Sequence, residues 1–245
     1  MNWQNCKRSC LTAVSVSAAM TLMAGCGTNS DRSVVADTGS SRNKVTGVVW
    51  ATGLEALPPA TLRNWRDYAD QVAVVRVTGE HEQPPTDEQV KIGEYGINRT
   101  VDVEVEQAVW SRIPPVDRFT QDADGWTYSK KNGRREIRTR HAERLTPGET
   151  YLVGLTRSEQ GEWGPMEAMS VLPLAVDGTV SGGTIKEIVG ETPDQVGMRL
   201  SALAPDPVVE KYADYAAIRR YGLVYAEKTG DTAASSEGAP TTTTP

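Results

Sequence analysis

Val101-Asp102-Val103-Glu104-Val105-Glu106 decides the fold class of this chain. Apolar and acidic residues alternate with a period of two, so one face of a β-strand meets a core and the other presents carboxylates to water. The alternation slips at Gln107, and apolar residues resume at Ala108, Val109 and Trp110. A β-bulge near Gln107 is expected, because one extra residue re-phases a strand. Upstream, Val72-Ala73-Val74-Val75-Arg76-Val77 is a β-branched run and reads as a largely buried strand. Just before it, Thr61 can cap a short helix whose residues Leu62, Trp65, Tyr68 and Ala69 share one face.

Downstream, Asn132-Gly133 suits a two-residue type I′ turn. That turn would pair Lys131 with Arg134, Tyr128 with Ile137 and Trp126 with Thr139. Pro147-Gly148 suits a type II turn and leads into Tyr151-Leu152-Val153-Gly154-Leu155, a central strand. Asp177-Gly178 marks a second hairpin between residues 169–176 and 179–180. Thr192-Pro193-Asp194-Gln195 combines an N-cap, Pro at N1 and Gln at N3, and so opens a helix. Asp206-Pro207 opens another, with Tyr212, Tyr215, Ala216 and Arg219 at helical spacing and Gly222 as its stop. Residues 81–98 and 111–125, each containing a Pro-Pro pair, read as long loops. The expected fold is α+β and mainly β. It is a single small antiparallel barrel or sheet, OB-like by analogy of element order, with an N-terminal helix and two C-terminal helices.

The N-terminus is of another kind. Residues 1–25 contain no Asp or Glu, Lys7 and Arg8 give a positive start, and Leu11 to Met23 is apolar except for small hydroxyl residues. This order is that of a secretory signal peptide, and the apolar run is short of the ~20 residues that span a bilayer. It ends on Leu22-Met23-Ala24-Gly25-Cys26, which resembles the lipobox of bacterial lipoproteins. In that family the Cys thiol is diacylated and becomes the mature N-terminus. The resemblance therefore implies lipidation at Cys26 and attachment to the extracytoplasmic face of the cell membrane. Met23 stands where the family usually has Leu. Two acyl chains anchor stably where one does not.

Behind Cys26, residues 26–45 are polar and small and read as a flexible tether, 46–228 as one β-rich globular domain, and 229–245 as a disordered Thr/Ser/Pro tail. The chain has 245 residues and a formal net charge of −6; loss of Lys7 and Arg8 makes the mature form more acidic. That balance disfavours nucleic acid as a partner, as does export. Cys6 and Cys10 leave with the signal, so the mature chain has Cys26 alone and no internal disulfide.

Chemistry is sparse. No Gly-x-Ser-x-Gly elbow, second zinc-ligand His or Gly-rich phosphate loop is present, so no catalytic residue, metal or cofactor is assigned. His81 and His141 read as surface residues, and Asp122-Ala123-Asp124-Gly125 as a polar turn. The least ordinary feature is a basic ribbon: Lys130, Lys131, Arg134, Arg135, Arg138 and Arg140. It is a candidate anion-binding patch, with Trp126 and Tyr128 near enough to stack on a ligand, or else a charged edge that blocks aggregation. Trp65 and Trp110 fit core positions, whereas Trp50, Trp126 and Trp163 sit near loops or edges. The leading functional expectation is a membrane-tethered binding module for a cell-envelope polymer or protein. An enzyme with a site assembled from residues 81–98 and 111–125 comes second, and a transporter's solute-binding component third.

Overall fold

A computed structural model describes residues 44–53 and 55–230. The signal segment, Cys26, the tether up to residue 43 and the tail from residue 231 lie outside the described residues.

Among the described residues eight strands form one sheet: β1 (Val45–Ala51), β2 (Gln71–Glu82), β3 (Glu94–Ser111), β4 (Arg118–Ser129), β5 (Gly133–Thr139), β6 (Thr150–Arg157), β7 (Trp163–Pro165) and β8 (Val171–Pro173). The order across it is β1-β5-β4-β3-β2-β6-β7, and β8 also pairs with β6. Among the described residues only the β1–β5 pair is parallel. The fold is α+β and mainly β, as expected, but the barrel is not closed. β1 and β7 end the sheet without pairing with each other. β7 is three residues long and finishes on Pro165, which has no N–H to give, so it offers little ladder for closure.

The predicted strand at 101–106 is the middle of β3, which buries Val101 and Val103 against Val75, Val77 and Val153. The bulge lies where expected. Val74 pairs with Gln107 but Val75 with Val105, which leaves Glu106 as the extra residue. β2 is buried on both faces because the two faces serve two cores. Ala73, Val75 and Val77 fill the inner core with β3 and β6. Val72 and Val74 meet the helices α1 (Leu62–Tyr68), α3 (Pro193–Ala202) and α5 (Ala217–Thr229) through Trp65, Val196, Leu200 and Val224. Thr61 caps α1 by accepting from Asn64 N, and Thr192 and Gln195 form a capping box on α3.

Four expectations are corrected. Residues 81–98 are not a loop: β2 runs to Glu82, α2 (Asp87–Ile92) follows, and β3 starts at Glu94. Likewise β4 starts at Arg118, so residues 118–125 are strand, and Asp124-Gly125 forms a bulge against Ile97 and Arg99. A Cβ on Gly125 would collide with the Ile97 carbonyl, so the bulge needs glycine. In both segments inner-face positions are held by polar or small residues, Glu80, Glu82, Gln121 and Ala123, which hid the alternation. Third, the β4–β5 hairpin pairs Ser129 with Gly133, Tyr128 with Arg134 and Trp126 with Glu136. The loop has three residues rather than two, because only Gly133 is left-handed, at φ 68°, while Asn132 is not. Shifting the pairing by an odd number of residues turns Arg134 and Glu136 onto the face of Trp126. Fourth, the helix at Asp206-Pro207 stops after one turn as α4 (Pro207–Glu210), α5 is a separate helix, and its stop is Gly230 at φ 73° instead of Gly222. The C-terminal region therefore carries three helices, not two.

A buried side chain explains that break. Arg220, on α5, is 0 % exposed and donates to Asp70 Oδ1 at 3.2 Å and to the carbonyl oxygens of Tyr68, Ala213 and Tyr215. Asp70 also accepts from Arg157 N at 2.9 Å. This one guanidinium joins α1, the α4–α5 connection and the start of β2.

A second anchor holds the β1–α1 connection. Glu167 accepts from Ala56 N and Leu57 N, both at 2.7 Å. Burial raises the Glu167 pKa, and burial followed by the nearness of Glu167 raises that of Glu55. A carboxyl with a raised folded-state pKa holds its proton longer in the native state than in the unfolded one. Stability is therefore lost as pH rises from about 4.3, the unfolded value, through the folded values. Glu55→Gln should flatten that part of a pH–stability curve measured by urea melts; an unchanged slope would contradict the assignment.

Candidate functional site

The inner face of the curled sheet is apolar at one end and ionic at the other. Extending the period-two pattern of β3 backward from Val103 and Val101 places Arg99 and Ile97 on the inner face. β4 adds Trp126 opposite Ile97, and β5 adds Glu136 opposite Trp126. The Trp126 indole, expected near an edge, is in fact buried and is flanked by three guanidinium groups. Arg134 lies 4.0 Å from its ring centroid, Arg144 5.0 Å and Arg99 5.9 Å. The ring's negative faces offset cation burial by about 1–2 kcal/mol per contact.

Carboxylates complete the neutralisation. Glu82 grips Arg134 with two bonds, at 3.0 and 2.6 Å. Glu80 Oε2 stands 3.4 Å from Arg99 Nε, while Arg99 Nη2 donates to the Leu145 carbonyl. Arg144 donates to the carbonyls of Asp124 and Ile137 and lies 3.8 Å from Glu136. Burial, and then the like charge of Arg144, push the Arg99 pKa below its usual value. Arg99 nonetheless stays a cation, as arginine does throughout the accessible pH range. With Arg134 6 % exposed and doubly bonded, the cluster consolidates the fold and leaves little cationic surface for a ligand.

The basic ribbon is therefore divided. Arg134 turns inward to Glu82 and Trp126. Arg138 stays exposed and pairs with Glu136. Arg135 points to the opposite face, its stem against Gly47. Lys130 and Lys131 stand exposed on the hairpin loop, and Arg140 is exposed where β5 has ended. Cys26 lies outside the described residues. The signal that could have revealed the Arg99–Trp126 stack was the parity of β3, which the charge on Arg99 concealed.

Where the ionic end opens, a cleft of about 840 Å³ lies between β1, the segment joining β5 to β6, and residues 183–186. Trp50 and Arg138 enter it side by side as a register pair of the β1–β5 ladder. Trp50 is 57 % exposed, so much of its ring is open to a ligand in the cleft. Arg144, Lys186, Glu143 and Glu149 supply charge of both signs to the walls. His141 lines the cleft at φ 62°, and among the described residues no other side-chain-bearing residue has positive φ. His tolerates that region better than most residues, but the conformation still carries strain.

On the opposite face, residues from both segments first read as loops converge on Asp102. His81 Nε2 is 2.7 Å from Asp102 Oδ2, and the Thr120 hydroxyl donates to Oδ1 at 3.1 Å. These two bonds, that from His81 foremost, lower the Asp102 pKa. The Thr120 hydroxyl serves the carboxylate rather than the imidazole, so the trio lacks the nucleophile-to-base bond of a hydrolytic triad. Among the described residues no group of three or more His, Cys, Asp or Glu could hold a metal ion, and no helix is long and apolar enough to cross a membrane. Trp163, remote from the ribbon, lines a separate hollow of about 530 Å³ between the β6–β7 hairpin and the start of α5. The chain matches no family model, and no curated protein or solved structure is significantly similar to it.

Proposed function

We propose that this chain is a lipid-anchored, extracytoplasmic binding module that takes an anionic cell-envelope polymer into the cleft beside Trp50. One observation carries the reading: an indole 57 % exposed stands next to Arg138 at the mouth of a cleft large enough for several sugar or phosphodiester units. An aromatic face packs on the flat apolar side of a sugar, while Arg138 and Lys186 meet its negative groups. The mixed signs on the walls favour a ligand that alternates charged and neutral groups over a uniformly charged one.

Attachment through Cys26 confines the module to the membrane surface. Cys26→Ala is expected to move the protein from the detergent phase to the aqueous phase; a variant still in the detergent phase would refute the anchor. The cleft is tested separately. Titration with poly(glycerol phosphate), and with neutral dextran as control, should quench tryptophan fluorescence only for the charged polymer. Trp50→Ala should weaken that binding about 10-fold or more, the loss of one stacking contact. Equal binding by the parent, Trp50→Ala and Arg138→Glu would overturn the assignment.

A further inference from the structure

The cleft beside Trp50 shares a wall with a second hollow. Thr184 and Lys186 line the cleft, and both also line a hollow of about 850 Å³ beside the N-terminal end of α1 and the C-terminal end of α3. The residues between the two form a fixed saddle. Gly183 is left-handed at φ 104°, and a Cβ there would collide with Leu172, so glycine is what lets the chain lie against the core. The Thr184 hydroxyl donates to the Met169 carbonyl at 2.8 Å, and Ile185 is fully buried. Lys186 is left exposed on the saddle, in the lining of both hollows. The second hollow continues the chemistry of the first. Its walls include Ala60, Ala202 and Leu203, and they carry Arg63 and Arg199. The carboxylate among its lining residues, Glu187, is already engaged: it accepts from Leu62 N at 2.8 Å and pairs with Arg199 at 3.2 Å. Arg63 reaches the Ala204 carbonyl but stays exposed. Along the two hollows cations outnumber carboxylates, although the whole chain has a net charge of −6.

We propose that the two hollows are consecutive subsites of one groove, and that a single anionic polymer chain lies across both, passing over Lys186. The proposal rests on the polymer-binding reading of the Trp50 cleft and adds a second site to it. A polyanion with neutral groups between its charges suits such a track. Its charged groups meet Arg138, Lys186 and Arg63 in turn, and its neutral groups lie on the apolar walls between them. Once the cleft holds the chain, filling the second hollow is an intramolecular event, so affinity rises with polymer length. The residues ahead of β1 are poorer occupants, because Asp31 and Asp37 are balanced there by Arg32 and Arg42. The tail beyond Gly230 carries Asp231 and Glu237 with no cation, and its competition is part of the test.

The full chain is titrated with a length series of glycerol phosphate oligomers and with poly(glycerol phosphate), read by tryptophan fluorescence. Per repeat unit, the long polymer is expected to bind at least about 10-fold more tightly than oligomers too short to leave the Trp50 cleft. Ala202→Glu, at an exposed position of the second hollow, should erase that gain and leave short-oligomer binding and the melting temperature unchanged. Arg63→Glu should erase it too, and Arg63→Lys should keep most of it. Ile92→Glu, 66 % exposed on α2 and outside both hollows, makes the same charge change as Ala202→Glu and should alter neither. Trp50→Ala should weaken short and long chains alike. If Trp50→Ala changes nothing, the cleft reading fails and this proposal with it. If Trp50→Ala weakens binding but affinity does not depend on length, or depends on it equally in Ala202→Glu, the second subsite alone is overturned. A length gain that appears only when Asp231→Asn and Glu237→Gln are combined would mean that the chain's own tail fills the second hollow, and it too overturns the proposal.

Discussion

Arg220→Ala is expected to destabilise the protein by about 3–5 kcal/mol in urea or thermal melts, the usual cost of removing one member of a buried ion pair. The loss has two sources. Asp70, 3 % exposed, keeps a buried carboxylate with only the Arg157 N–H for a partner. The carbonyls of Tyr68, Ala213 and Tyr215 also lose their donor. Each unsatisfied buried group costs about 1–3 kcal/mol. The pair Asp70→Asn with Arg220→Met should recover most of the loss, because a buried ion pair exchanged for neutral groups of similar volume is often neutral in stability. If Arg220→Ala costs less than about 1 kcal/mol, α5 is not held by this side chain and the account of the C-terminal helices fails.

Trp126→Ala is the second large effect, expected at about 3–5 kcal/mol. Beyond the cavity, the substitution removes the ring that separates Arg99, Arg134 and Arg144. Those cations would face one another across the space it leaves. Trp126→Phe keeps an aromatic face and should retain more than half of the stability. A further sign distinguishes the ionic cluster from plain packing: the deficit of Trp126→Ala should shrink as salt is raised, since the exposed side of the cluster is screened. A salt-independent deficit equal to that of an ordinary core residue would show that the guanidinium contacts add nothing.

Both sites illustrate how far the sequence could be read. Val101, Val103 and Val105 announced a half-buried strand, and Thr61, Thr192 and Gly148 took the cap and turn roles that their residue types imply. Those signals are local: a period of two, a side-chain oxygen three residues ahead of an N–H, a Gly at positive φ. What was missed has one cause. β1 is short, and its partner Ile137 lies far along the chain from Val49, so no nearby alternation marks it. Arg99 continues the parity of β3, yet its charge argued against an inward position until Glu80, Leu145 and Trp126 were brought to it from other strands. Asn132-Gly133 fixed the hairpin tip but left open a loop of two residues or three, and that choice sent Arg134 to the inside.

By itself the sequence determined a mainly β body and the helix starts at Thr61 and Thr192, because hydropathy, periodicity and capping act over a few residues. Tertiary structure alone decided that the sheet stays open and that three arginines surround one indole. It also placed Trp50 beside Arg138 at a cleft. Those features depend on which strands become neighbours, and that is settled by burying two cores at once rather than by any short stretch of chain.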